Sequence, residues 1–269
     1  MRSSRNLSLL ALVLLTLVWS YAQQSTASVL QVLHGMKSAK WEDRSQAFDD
    51  ARAQLGSGHL NQSDVDALTL GIIDLLIKES NGGLKGPDDV NSEDDDESYG
   101  EEKSGYYSGL IGFVAEMHDE RAIPALLGAG TTGGMATRGA ASFGKKAVSP
   151  TVAQVKSPNT QAAESALWVI RSILEMRTAE DPDSHLELKN ALKFALGSPD
   201  HDVRETAILA IEQLEDRGEF VPTLKGIAQH DPYKANYTAG KSTPGKGPYE
   251  VRHSAELLLQ KIARNPQPR

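Results

Sequence analysis

The chain has 269 residues, 39% hydrophobic and 6% aromatic, with 23 Gly, 12 Pro and no Cys. Its length suits one large or two small globular units, and a charged fraction of 24% is too ordinary for a wholly disordered chain. The missing Cys excludes a disulfide scaffold, a Cys-ligated metal centre and a cysteine nucleophile. The net charge of −8 argues against nucleic acid as a partner, since its binders carry a basic footprint.

Residues 1–22 read as a signal peptide. Arg2 and Arg5 form a positive start, Leu7 to Trp19 an apolar run, and Ser20-Tyr21-Ala22 a small-residue cleavage site before Gln23. The run is shorter than the ~18–20 residues that span a bilayer, so no stable membrane insertion is expected after cleavage. The expected compartment is the periplasm or the surrounding medium.

Beyond the signal the pattern is helical. In the segment 23–80, Trp41, Ala47, Phe48, Ala51 and Leu55 form one apolar stripe over Ser38–Leu55. Val65, Leu68, Ile72, Leu75 and Leu76 form a second, with Ser63 as its expected N-cap. Residues 81–105 carry nine carboxylates between Asp88 and Glu102 and read as an acidic flexible loop. Asp89, Asn91 and Glu93 alternate as in a calcium loop, but Asp94 stands where the turn needs Gly and Gly100 where a bidentate Glu belongs. A solvated linker is the expectation.

Helical segments are then predicted at Tyr106–Met117, Ala122–Leu127, Met135–Val155, Gln161–Met176, His185–Leu196, Val203–Leu214, Phe220–Gln229 and Tyr249–Ala263. Residues 234–248 form a Gly/Lys/Pro-rich insertion, and 265–269 a disordered tail. The fold class is all-α, an α-solenoid of stacked antiparallel helix pairs.

Internal repeats support that reading. Asp202-Val203-Arg204, followed by Ala207, recurs as Glu250-Val251-Arg252, followed by Ala255. Arg138 with Ala141 and Arg44 with Ala47 are weaker copies, and Ile123-Pro124-Ala125-Leu126-Leu127-Gly128 parallels Val221-Pro222-Thr223-Leu224-Lys225-Gly226. These units resemble the HEAT-repeat (armadillo-like) family, strongly over 186–264, fairly over 120–178 and weakly over 28–80. Its pattern is an acid, an apolar residue and Arg at the start of each second helix; Ala136 breaks it before Arg138. About four to six repeats are expected over the chain, with 106–264 as the repeat domain.

Neighbouring hairpins would bury a continuous core, with Ala207 and Ala255 allowing close approach. Leu209, Ile211, Leu214, Leu257, Leu258 and Ile262 are expected to fill the space between layers. Asp202, Arg204, Glu250, Arg252 and Arg138 are expected to form an inter-repeat ladder of charge-assisted hydrogen bonds.

No catalytic constellation stands out. Gly128-Ala129-Gly130-Thr131-Thr132-Gly133 spells GxGxxG, but a helix precedes it where a dinucleotide site needs a strand, so a turn between helices is expected. Among His34, His59, His118, His185, His201, His230 and His253 there is no HExxH pair. Asp200-His201-Asp202 and His230-Asp231 fall at turns, where capping is the ordinary role. No catalytic residue, metal or cofactor is expected.

The resemblance implies a non-catalytic scaffold or adaptor for a protein or peptide. Tyr233, Lys234, Tyr237, Lys241, Lys246 and Tyr249, in and around the insertion, are the candidate contacts. The alternatives are an enzyme or enzyme subunit, since HEAT-like lyases act on bilin chromophores, or a structural envelope component.

Overall fold

The computed structural model describes residues 27–38, 40–81, 97–130, 134–234 and 249–265. The segment expected to be a signal peptide, most of the expected acidic loop and the body of the insertion lie outside them. The chain divides into two compact units, 1–117 and 118–269. Both are helical, with no strand among the described residues, as expected from the period of the apolar positions.

The first unit holds α1 (27–35), α2 (Trp41–Ser57), α3 (Gln62–Asn81) and α4 (Glu97–Glu116). Ala47 and Ala51 of the predicted stripe are buried, as are Leu68, Ile72, Leu75 and Leu76 of the second. The cap of α3 is Asn61, not Ser63: its Oδ1 accepts from the Asp64 backbone N–H at 3.0 Å. That position lies one residue outside the first helical turn, where a side-chain acceptor reaches an orphan amide. α4 begins at Glu97, inside the predicted loop, and packs on α2 and α3. Phe48 packs edge-on against Tyr106 and Phe113. Burial raises the Tyr106 phenol well above its ordinary range, with Arg44 opposing and Glu79 adding to the shift. Its hydroxyl donates to the Met36 carbonyl at 3.2 Å.

The second unit is an α-solenoid of four helix pairs in two layers. The first helices are α5 (Ile123–Ala129), α7 (Lys145–Val155), α9 (Pro182–Leu196) and α11 (Val221–His230). Their partners are α6 (Gly134–Ala141), α8 (Thr160–Met176), α10 (His201–Ile211) and α12 (Glu250–Arg264). Each pair packs internally; α6, α8, α10 and α12 pack in succession as one layer, and α5, α7 and α9 as the other. Stacking is what buries the faces that no hairpin can bury alone.

The expected single helix over Met135–Val155 is two, α6 and α7, separated by the turn 142–144. Gly144 makes the break at φ 58°, and a Cβ there would sit 2.4 Å from the Thr178 carbonyl oxygen. No L side chain fits that conformation and that space. Elsewhere the ends carry ordinary caps. Asn159, Asp181 and Asp200 accept backbone N–H groups at the starts of α8, α9 and α10, and Pro182 occupies the first turn of α9.

Ion pairs link successive first helices along their layer. Lys146 pairs with Glu120, Lys145 with Asp181, and Lys189 with Asp216 and Glu219. Lys193 also reaches Glu219, at 3.2 Å.

Candidate functional site

Two regions of the second unit concentrate polar and aromatic groups. The first is the stem that carries the insertion. Arg204 is buried near the start of α10, and its Nε and Nη2 donate to the two carboxylate oxygens of Asp231 at 2.7 and 2.9 Å. Its Nη1 donates to the carbonyls of Ser198 and Pro199 in the turn before α10. Across the insertion, Arg252 Nε donates to the Asp231 backbone carbonyl at 2.7 Å. Asp231 thus receives both arginines, and it also accepts the Tyr233 backbone N–H at 3.0 Å. A planar guanidinium suits this forked, buried geometry.

The candidate contact residues divide accordingly. Tyr233 stacks on His201 with ring centroids 3.6 Å apart, and Tyr249 lies between two cations, Arg252 at 4.3 Å and Lys234 at 6.0 Å. Burial, then the carboxylates of Glu250, Asp202 and Glu205, raise the Tyr233 phenol. Tyr237, Lys241 and Lys246 lie outside the described residues.

Of the expected ladder residues, Arg204 and Arg252 converge, but on Asp231. Asp202 is exposed beside His201, and Glu250 opens α12. Arg138 is exposed on α6; the buried residue beside it is Thr137, whose hydroxyl donates to the Gly134 carbonyl. Arg44 is the closer match to Arg204. It is buried, donates to the Ser38 carbonyl at 2.6 Å and reaches Glu79 at 3.1 Å. Each arginine grips a carbonyl six residues back and an acid on a later helix.

Asp231 escaped the sequence reading because it stands outside the acid–apolar–Arg pattern. The available signal was an acid at the end of the following first helix. Asp200, His201 and Asp202 bring one ligand atom each within 4.8 Å of one another. Asp200 Oδ1 there accepts the N–H groups of Asp202 and Val203, the expected cap. Gly130 of the GxGxxG string lies between α5 and α6, against Ser165 of α8, as a close-packed turn.

The second region was not read as a site. Leu209 and Leu257, expected between layers, lie on the open face of the α8–α10–α12 layer; Leu257 is 43% exposed. Ser254 Oγ donates to Glu205 at 2.8 Å, and Lys261 Nζ to Glu212 at 2.6 Å. Both links join residues 49 apart, so α10 and α12 run parallel, and Leu257, 48 residues beyond Leu209, lies within one residue of its level. On the other side, Ile173 and Leu174 of α8 line a common cleft with Gln213 and Leu214. Half-buried Trp168 and Leu209 each stand nine residues past the N-cap of their helix, Asn159 and Asp200. Trp168, Leu209 and Leu257 therefore stand within one residue of a common level on three successive helices, with Glu164, Glu205 and His253 one turn before them. One turn after them are Arg171, Glu212 and Lys261.

Exposed Leu186 and Phe194 on α9 form no such row. The neighbouring helices α7 and α11 present Lys145, Lys146 and Lys225 to solvent. Among the described residues, no helix is long and apolar enough to cross a membrane.

No family model matches the chain, and no curated protein matches it. Solved structures of designed armadillo repeat proteins do. One, designed for modular peptide recognition, matches at TM-score 0.38 and 15% identity over 86% of this chain and 98% of its own. Another, in complex with the peptide (KR)4, matches at TM-score 0.37 and 16% identity over 86% and 97%.

Proposed function

We propose that the protein is an exported, non-catalytic helical-repeat scaffold that docks a protein or peptide partner on the α8–α10–α12 face. The observation that carries this reading is the row Trp168, Leu209 and Leu257, one apolar side chain from each of three packed helices. Buried core positions on the same helices are fully covered, so these side chains are open by placement and not for want of packing. A central aromatic and aliphatic strip with charged residues on both sides has the anatomy of an interface, where burial of the strip supplies the affinity and the rim sets the register. The insertion residues Tyr237, Lys241 and Lys246 are proposed as further contacts.

The test compares retention of host export-compartment proteins by the purified protein, expressed as the full chain, and by Trp168→Ala and Leu257→Glu. Specific retention of one protein, lost in both variants with helical circular dichroism unchanged, is the expected result. Retention unaffected by either substitution would overturn this placement.

A further inference from the structure

Arg171 stands one turn beyond Trp168 on α8, with its guanidinium carbon 5.2 Å from the centre of the indole. Its Nε is buried without a hydrogen-bond partner, and among the described residues the side chain makes no ion pair. Acids are close in sequence and in the layer, yet each is used elsewhere or placed away. Glu164 accepts from the Trp168 indole N–H at 3.4 Å. Glu212, level with Arg171 on α10, is held by Lys261 at 2.6 Å. A surface arginine ordinarily finds a carboxylate or extends into water, because a guanidinium donor left without an acceptor is costly. Here the guanidinium instead lies over an aromatic ring, which holds the fork in place while leaving acceptors for its outer N–H groups to be supplied by a partner.

We infer that Arg171 is a carboxylate anchor, and that the docked partner is a protein segment presenting one Asp or Glu side chain beside an apolar residue. The inference rests on the docking face proposed above. The carboxylate would take the outer guanidinium N–H groups while the adjacent apolar side chain meets Trp168 and Leu209. Glu164 and Glu175, which border this spot on α8, disfavour further acids in the segment, so the fit is to an isolated acid and not to an acidic run. Charge complementarity at one cation, set in a row of apolar side chains, selects that chemistry.

The experiment selects 12-residue peptides from a displayed random library on the purified protein, expressed as the full chain. It then measures the affinity of the enriched peptides for wild type, Arg171→Met, Arg171→Lys and Leu257→Glu. Enriched peptides should carry a lone acid next to an apolar residue, and replacing that acid by its amide should weaken binding about ten-fold or more. Arg171→Met should abolish the difference between acid and amide peptides, and Arg171→Lys should retain part of it. Enriched peptides that need Leu257 but lack an acid, or that bind Arg171→Met equally well, would overturn the anchor while leaving the docking face intact. Enrichment of nothing, or binding indifferent to Leu257→Glu, would overturn the docking face and the anchor with it.

Discussion

Arg204 closes on Asp231 through two parallel hydrogen bonds of 2.7 and 2.9 Å, with side-chain exposures of 8% and 2%. A first helix is thereby locked to the second helix of the preceding pair, and through the Asp231 carbonyl to Arg252 beyond the insertion. Removing one partner of such a pair leaves a buried charge without compensation, a loss of about 3–5 kcal/mol. Arg204→Met should therefore lower the stability of the second unit by that order in urea unfolding followed by circular dichroism. Adding Asp231→Asn should recover part of the loss, because the amide is neutral and still accepts from Tyr233. A single variant as stable as wild type would show that the pair is not a lock.

Gly144 supplies a separate check on the helix break. Gly144→Ala forces an L side chain into φ 58° with its Cβ 2.4 Å from the Thr178 carbonyl. Strain of this kind costs about 1–3 kcal/mol before the clash is counted. Thermal unfolding should fall clearly, whereas Gly218→Ala, where a Cβ meets nothing within 4 Å, should show little change.

Acid stability follows from three carboxylates. Asp181 is held down at about 2 by hydrogen bonds from Ser184 and then from Lys145. For Asp216 and Glu219, burial pushes the carboxyls up, and hydrogen bonds from Lys189, joined by His185 and Lys193, outweigh it and leave both lowered. A lowered folded-state value means stability present above the unfolded value, near pH 4, and lost as pH falls through the folded one. Helical signal should thus decline between about pH 4 and pH 2. Asp181→Ala should flatten that decline and lower stability at neutral pH. A pH profile identical to wild type would contradict the role of the cap.

Leu257 and Leu258 are neighbours with opposite assignments. Leu258, at 2% exposure, belongs to the core, and Leu258→Ala should cost about 2–5 kcal/mol. Leu257→Ala should change stability by less than about 0.5 kcal/mol while weakening partner retention. Equal destabilisation by both would place Leu257 in the core after all.

Much of the fold was legible because the apolar positions keep a helical period: Leu68, Ile72 and Leu76 are buried as their spacing requires. The Arg-x-x-Ala signature marked matching positions at 44 and 204, since both the buried arginine and the small residue one turn on are demanded by close packing, and at 252, where the arginine is half-buried and the small residue, Ala255, is fully covered. It misplaced Arg138, because the pattern survives in sequence where the side chain has turned to solvent. The break before α7 was hidden, as a single Gly in a helical run reads the same whether it continues the helix or reverses it. Trp168, Leu209 and Leu257 were invisible as a site, because periodicity reports that a residue is apolar but not whether the next layer covers it. Asp231 was missed because its partner lies on another helix.

The docking face is tested most directly by photo-crosslinking in the producing cell. A photoreactive residue is placed at Leu257, at Leu209, or at Phe194, exposed to 55% on α9 in the other layer. Positions 257 and 209 should give one discrete adduct, and position 194 none of that mass. Adducts from 194 alone, or from all three positions alike, would contradict it.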